Sequence, residues 1–258
     1  MQDWPCASWV EQLAPELPGL HAQVLPEVDS SNSELMRRAR NGDLRPQLLV
    51  ALAQSAGRGR MGRSWVSQPG DALTFSLGLP LHLSDWSGLS LAVGTSVAES
   101  LQAMAGDAVQ SQIQLKWPND LWLAGAKLAG ILIETANVGT QRYAVIGVGI
   151  NLKERDAQGL STPPAWLQEA RHGIDGPQAL GLVLAPLVRT LQRFEREGFA
   201  AFRDGFSARD GLRDRAVSLS DGTRGTACGV TESGALLVHT AAGVQTVASS
   251  EVSVRPQP

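Results

Sequence analysis

LLVALAQSAGRGRMGRSWVSQPGDALTFSLGL, residues 48–79, decides the fold. Its ends, LLVALA (48–53) and ALTFSLGL (72–79), are short apolar runs of strand length, the second following the Pro69-Gly70 turn. Between them Gly57, Gly59 and Gly62 satisfy the spacing G-x-G-x-x-G. In a dinucleotide-binding unit the third glycine of that pattern opens a helix whose N-terminus receives a pyrophosphate. Here the glycines lead into SWVSQPG and another strand, with Arg58, Arg60 and Arg63 set among them. The context therefore predicts a strand, a loop and a strand. Glycine permits close backbone approach to a ligand, and arginine offers a fixed fork of donors to carboxylate and phosphate, so the loop suits anions. A solvated basic surface loop is the alternative that the loop alone leaves open.

Upstream, DSSNSELMRRARNG (29–42) places Ser31 and Glu34 at capping-box spacing and Asn41-Gly42 as a stop, which predicts one short helix. Before it, Pro5, Pro15, Pro18 and Pro26 forbid a long helix, and residues 1–28 read as an arm. Downstream, Leu89, Val93, Val97, Leu101 and Met104 recur at helical spacing, predicting a core-facing helix from near Ser84 to Gly106. IQLKW (113–117), LAGILIE (128–134) and YAVIGVGI (143–150) read as further strands, and Val183, Leu184, Leu187, Leu191 and Phe194 as a second long helix. After Gly211 the strands shorten, with turns at Asp221-Gly222, Ser233-Gly234 and Ala242-Gly243, as in a small β-barrel. The expectation is an α/β (α+β) domain over 29–210, a mixed sheet flanked by helices, followed by a β module over 211–258.

Composition narrows the classes of function. The 258 residues are 43% hydrophobic and 18% charged, enough for a real core, and the net charge of −3 announces no polynucleotide partner. Cys6 and Cys228 stand far apart without metal-ligand spacing, and neither a secretory leader nor a membrane-spanning apolar run is visible. A cytoplasmic protein bound to neither DNA nor membrane is expected. His21, His82, His172 and His239 are read as ordinary.

Two further motifs carry chemistry. Lys116-Trp117-Pro118-Asn119-Asp120 closes an apolar strand with a turn sequence, and Lys127 enters the next buried strand, where a lysine wants an anion. Gly147-Val148-Gly149-Ile150-Asn151 ends a strand with two glycines and an amide, where backbone can approach a nucleotide; a plain glycine-kinked strand ending in Asn is the alternative that this motif alone leaves open. Taken together, GRGRMGRSW (57–65), KWPNDLW (116–122), KLAGILIE (127–134) and GVGINL (147–152) resemble the biotin–protein ligase family in order and spacing. GVTESGALLV (229–238) and SEVSVR (250–255) resemble that family's SH3-like C-terminal domain, and only the N-terminal arm falls outside the resemblance. The catalytic domain implied is class II synthetase-like.

The resemblance implies attack of the biotin carboxylate on the α-phosphorus of ATP, with Mg²⁺ on the triphosphate, and then transfer of biotin to a lysine of a biotin carboxyl carrier protein. It implies that Ser30, Ser31, Asn32, Gln54, Arg58, Gly59, Arg60 and Lys127 bind biotin, and that Arg60, Arg63, Trp65, Asn119, Asp120 and Asn151 face the nucleotide. Lys127, Arg60 and Asp120 are the catalytic candidates: Lys127 on the carboxyl–phosphoryl bridge, Arg60 sealing the adenylate, and Asp120 orienting either metal or the acceptor lysine. Two anions must meet, so preorganised positive charge is the central requirement. Ser30-Ser31-Asn32 departs from the family's usual Ser-Thr-Asn but keeps the hydroxyl. A lipoate ligase or related acyltransferase of the same superfamily would show an RRxSGGGxV-like run where GRGRMGRSW stands. A non-enzymatic biotin sensor or repressor would carry a winged helix, for which residues 1–28 are too few. The sequence leaves monomer and homodimer open.

Overall fold

The chain enters through helix α1 (Cys6–Leu13), which stops short of Pro15, and continues as strand β1 (His21–Leu25). Helix α2 (Ser31–Arg40) leads to β2 (Gln47–Ala51), and β1 pairs with β2 in parallel. The segment read as an arm thus supplies an edge strand of the main sheet. Its half-polar HAQVL pattern is that of a strand with one open edge, which periodicity does not separate from a loop. The computed structural model describes residues 3–104, 113–155, 162–248 and 254–256.

Next come β3 (Ala72–Pro80), helix α3 (Leu89–Met104) and strands β4 (Ile113–Lys116), β5 (Asp120–Leu123), β6 (Ala126–Val138) and β7 (Gln141–Asn151). The seven strands form one mixed sheet in the order β1-β2-β3-β7-β6-β5-β4, antiparallel everywhere except β1–β2. Helix α4 (Gly176–Glu197) is the predicted second long helix. Two expectations need correcting. The cap of α2 is Ser30, whose hydroxyl accepts the Ser33 N–H, not Ser31; Glu34 turns instead to Arg37 and Arg38. Helix α3 starts at Leu89 rather than near Ser84, because the Ser87 N–H is taken by the Asp85 carboxylate and Gly88 sits at φ +77°. The predicted stop at Gly106 lies outside the described residues.

Alternation along β7 separates two faces. Ala144, Ile146, Val148 and Ile150 join the large apolar core with α3 and α4. Tyr143 and Val145 point the other way, against Leu35, Met36 and Ala39 of α2. That second face then continues as Gly147, Gly149 and Asn151. Beside the glycines, β3 sets Ser76 and Thr74, and β6 sets Leu132 and Gly130. Helix α2 covers only one end of this face, so the other end is an open floor almost free of side chains.

The C-terminal strands β8 (Ala216–Leu219), β9 (Arg224–Val230), β10 (Leu236–Thr240), β11 (Gly243–Val247) and β12 (Val254–Pro256) form an antiparallel sheet in the order β11-β10-β9-β8-β12. These five strands are the small β module expected after Gly211; no β11–β12 pairing is present among the described residues, and residues 250–253 of the predicted SEVSVR stretch lie outside them. This sheet docks on the first domain where the Trp117 indole N–H donates to the Gly234 carbonyl at 3.0 Å. Gly234 there lies so close to Gly88 that a Cβ would come within 2.8 Å of the Gly88 Cα. Among the described residues no helix is long and apolar enough to cross a membrane.

Candidate active site

Capping α2 with Ser30 brings Ser30, Ser31 and Asn32 to the edge of the glycine floor, each only 3% exposed. Ser31 donates its N–H and its hydroxyl to Gln54 Oε1 at 2.7 and 3.1 Å. The Ser76 hydroxyl lies 2.7 Å from Ser31 Oγ and 2.6 Å from Asn32 Oδ1, and donates to one of them. Asn32 in turn donates to the Leu132 carbonyl and to Glu134 Oε2, at 3.1 and 3.0 Å. Glu134 closes the chain by pairing with Arg58 of the arginine loop. Buried polar groups satisfied in this way form a rigid, neutral wall. Gly147 is required beneath it, since a Cβ there would stand 2.2 Å from Asn32 Oδ1.

The arginine loop is a narrow flap, closed by Gly59 N–H to the Arg63 carbonyl at 2.7 Å and Trp65 N–H to the Gly57 carbonyl at 2.8 Å. No helix follows Gly62, as the sequence context predicted. At the tip, Met61 adopts φ +56° and is 56% exposed. The Trp65 indole rests on the floor, where a Cβ on Gly149 would come within 2.4 Å of its ring. Arg60 reaches inward to Asn119 Oδ1 at 3.4 Å. Burial pulls its guanidinium below the ordinary range, Asp120 raises it and Arg63 lowers it further.

At the far end of the floor, Lys127 Nζ lies 2.7 Å from Asp120 Oδ1 and 5.9 Å from the centre of the Trp65 ring. Asp120 Oδ2 faces Lys116 Nζ at 3.9 Å. Every residue singled out from the sequence for biotin, nucleotide or catalysis lines one cleft of about 450 Å³. Their duties differ within it. Asn151, expected to meet the nucleotide, is 3% exposed; it donates to the Lys127 and Ala165 carbonyls and accepts from Arg155, so it holds the backbone under Lys127. Asn119 likewise donates to the Ile131 carbonyl at 2.8 Å.

Sequence reasoning missed Ser76, Glu134 and Arg155. Glu134 carried a signal, an acid closing the apolar run ILIE; Ser76 carried none inside ALTFSLGL. It also missed that the C-terminal module contributes Arg215, just before β8, and Val254 and Arg255 of β12 to the cleft wall. The four histidines are exposed, and none lines the cleft.

Two family models match: the biotin/lipoate A/B protein ligase family over residues 27–151, and the biotin protein ligase C-terminal domain over residues 215–255. The bifunctional ligase/repressor BirA of Escherichia coli is 34% identical, over 95% of this chain and 77% of its own length. That span reaches into the first 28 residues, which the sequence reading had left outside the resemblance. A biotin–[acetyl-CoA-carboxylase] ligase of Paracoccus denitrificans is 32% identical, over 89% of this chain and 98% of its own. Among solved structures, the biotin protein ligase from Aquifex aeolicus in complex with biotin and ATP superposes with a TM-score of 0.77 at 28% identity, covering 92% of this chain and 99% of that one. With both domains matched and the shared motifs gathered around one cleft, the chain belongs to the biotin protein ligase family.

Proposed function

We propose that this protein forms biotinyl-5'-AMP from biotin and ATP and transfers the biotinyl group to a lysine of a biotin carboxyl carrier protein. One observation carries the reading: the cleft joins a neutral hydrogen-bonding wall (buried Ser31 and Asn32, half-buried Gln54) to a cationic end (Arg60, Arg63, Lys127) across a glycine floor. Biotin has a polar urea ring at one end and a carboxylate at the other, and it must meet a triphosphate. A few fixed polar groups orient the ring, and the floor lets the tail lie against backbone.

In the first half-reaction the carboxylate oxygen bonds to the α-phosphorus and the bond to pyrophosphate breaks. Negative charge concentrates at the carboxyl–phosphoryl bridge, within reach of Lys127, the most exposed of the cleft's buried lysine–aspartate group at 30%. Preorganised cations in a water-poor site suit that charge. Arg60 on its flap shields the adenylate, and Trp65 offers its ring to the nucleotide. Mg²⁺ fits as an ion carried by the triphosphate, because Asp120, the carboxylate lining the cleft among the described residues, has lysines on both oxygens. The same lysines favour the acceptor amine over metal as its partner.

No protein nucleophile is needed, since the acceptor lysine is itself the nucleophile once deprotonated. The C-terminal module adds Arg215 and Arg255 to the cleft wall. The net charge of −3 supports a ligase without DNA-binding duty, and the unpaired Cys6 and Cys228 support a cytoplasmic setting. Incubation with ATP, Mg²⁺, biotin and a biotin carboxyl carrier domain should add one biotinyl group to a single acceptor lysine, read by mass spectrometry. An unmodified acceptor would refute the reading.

A further inference from the structure

Lys116 and Asp120 stand directly opposite each other across the β4–β5 hairpin, so their side chains leave the same face of the sheet. Both are nearly enclosed, with side chains 11% and 12% exposed, and the Lys116 ammonium lies 5.4 Å from the centre of the Trp122 ring. Asp120 therefore sits between two lysines of different freedom. Lys127, at 2.7 Å, is the more exposed and borders the floor where reacting groups lie; Lys116, at 3.9 Å, is held behind it.

On the ligase reading above, Lys127 turns to the carboxyl–phosphoryl bridge once biotin and ATP react. Asp120 then loses its nearest cation at the moment the acceptor amine arrives. A buried carboxylate stripped of its counter-ion takes up a proton, and a protonated carboxyl cannot accept one from an ammonium group. We propose that Lys116 is a positioning residue for the transfer half-reaction, keeping a cation beside Asp120 and its carboxylate aimed at the incoming amine after Lys127 has moved to the adenylate.

The acceptor ammonium gives one proton to the Asp120 carboxylate, and the neutral amine bonds to the biotinyl carbonyl carbon. The bond from that carbon to the phosphate oxygen breaks, and AMP leaves with the electron pair. The second nitrogen proton departs to solvent or to the leaving phosphate, and Asp120 returns its own to solvent.

Charged groups approach this pair from each neighbouring element. Lys127 comes from β6, and Arg60 and Arg63 come from the flap. Arg255 comes from β12. Burial lowers the Lys116 ammonium from its usual range and Asp120 raises it, while Lys127, Arg63 and Arg255 lower it further. Removing Lys116 takes away the cation fixed closest to Asp120 after Lys127, so transfer should need a higher pH.

The test compares wild type with Lys116→Met and Lys116→Arg in two assays. One is biotin-dependent ATP–pyrophosphate exchange; the other is single-turnover transfer from supplied biotinyl-5'-AMP to a saturating carrier domain across pH 6–9. In Lys116→Met, transfer at neutral pH should fall about tenfold more than exchange, and its acidic limb should move up by about one pH unit. Lys116→Arg should restore both. Lys116→Gln serves in place of Met if the latter unfolds below the assay temperature. Equal losses in the two assays with an unmoved limb, or no rescue by arginine, would overturn the proposal. If wild type itself shows no biotin-dependent exchange, the ligase reading fails and this proposal falls with it; wild-type exchange with an unmoved limb sinks the role of Lys116 alone.

Discussion

Ile146 and Gly147 are neighbours on β7 yet belong to different chemistries. Ile146 points into the face packed by α3 and α4 and is fully buried among apolar side chains. Gly147 opens the other face, where the space of a side chain is taken by Asn32. One face excludes everything by packing; the other excludes its own side chains so that a ligand can lie on backbone. The same alternation runs through β3, where Leu73, Phe75 and Leu77 join the core while Thr74 and Ser76 line the floor. Function on this sheet is thus a matter of parity, and a substitution should act on stability or on catalysis according to the face it occupies.

Four substitutions sharpen or break that contrast. Lys127→Ala, on the open face, should lower adenylate formation by about two to three orders of magnitude with the thermal unfolding midpoint nearly unchanged. Normal pyrophosphate exchange in this variant would remove Lys127 from the chemistry. Ile146→Ala, one face away, should cost about 2–5 kcal/mol of stability in chemical denaturation while the KM for biotin stays put. A biotin KM that climbs with the stability loss would show the faces to be inseparable. Ser76→Ala unpairs part of the Ser31–Asn32 wall and should cost about 1–3 kcal/mol, appearing mainly as weaker biotin binding by calorimetry. Unaltered affinity would mean the wall does not hold the ligand. Arg60→Gly should affect adenylation least and retention most: adenylate escapes the loosened flap and labels bystander lysines. Unchanged acceptor selectivity on a blot of mixed proteins would contradict the sealing role.

Much of this was legible before the structure. Apolar runs located β2, β3, β4, β6 and β7, because buried strands need little else, and strand context at both ends of the arginine loop excluded a dinucleotide turn. The candidate residues were legible as a set because four motifs occurred together. What stayed hidden depends on partners distant in sequence. The edge strand β1 has too weak a pattern, and β5 is four residues long. The α2 cap fell one residue early, at Ser30, because Ser31 is drawn to Gln54, 23 residues away. The glycines of GVGIN were visible, but the two side chains that require them, Asn32 and Trp65, lie more than eighty residues upstream. Asn151 read as a nucleotide contact because an amide at a strand end advertises donors; its donors are spent on backbone.

ATP–pyrophosphate exchange measured with biotin and with lipoate as the acid decides whether the open face activates biotin. Activation of biotin on that face predicts exchange that requires biotin and is at most marginal with lipoate. Exchange with lipoate equal to or above that with biotin, or none with biotin at all, would contradict it.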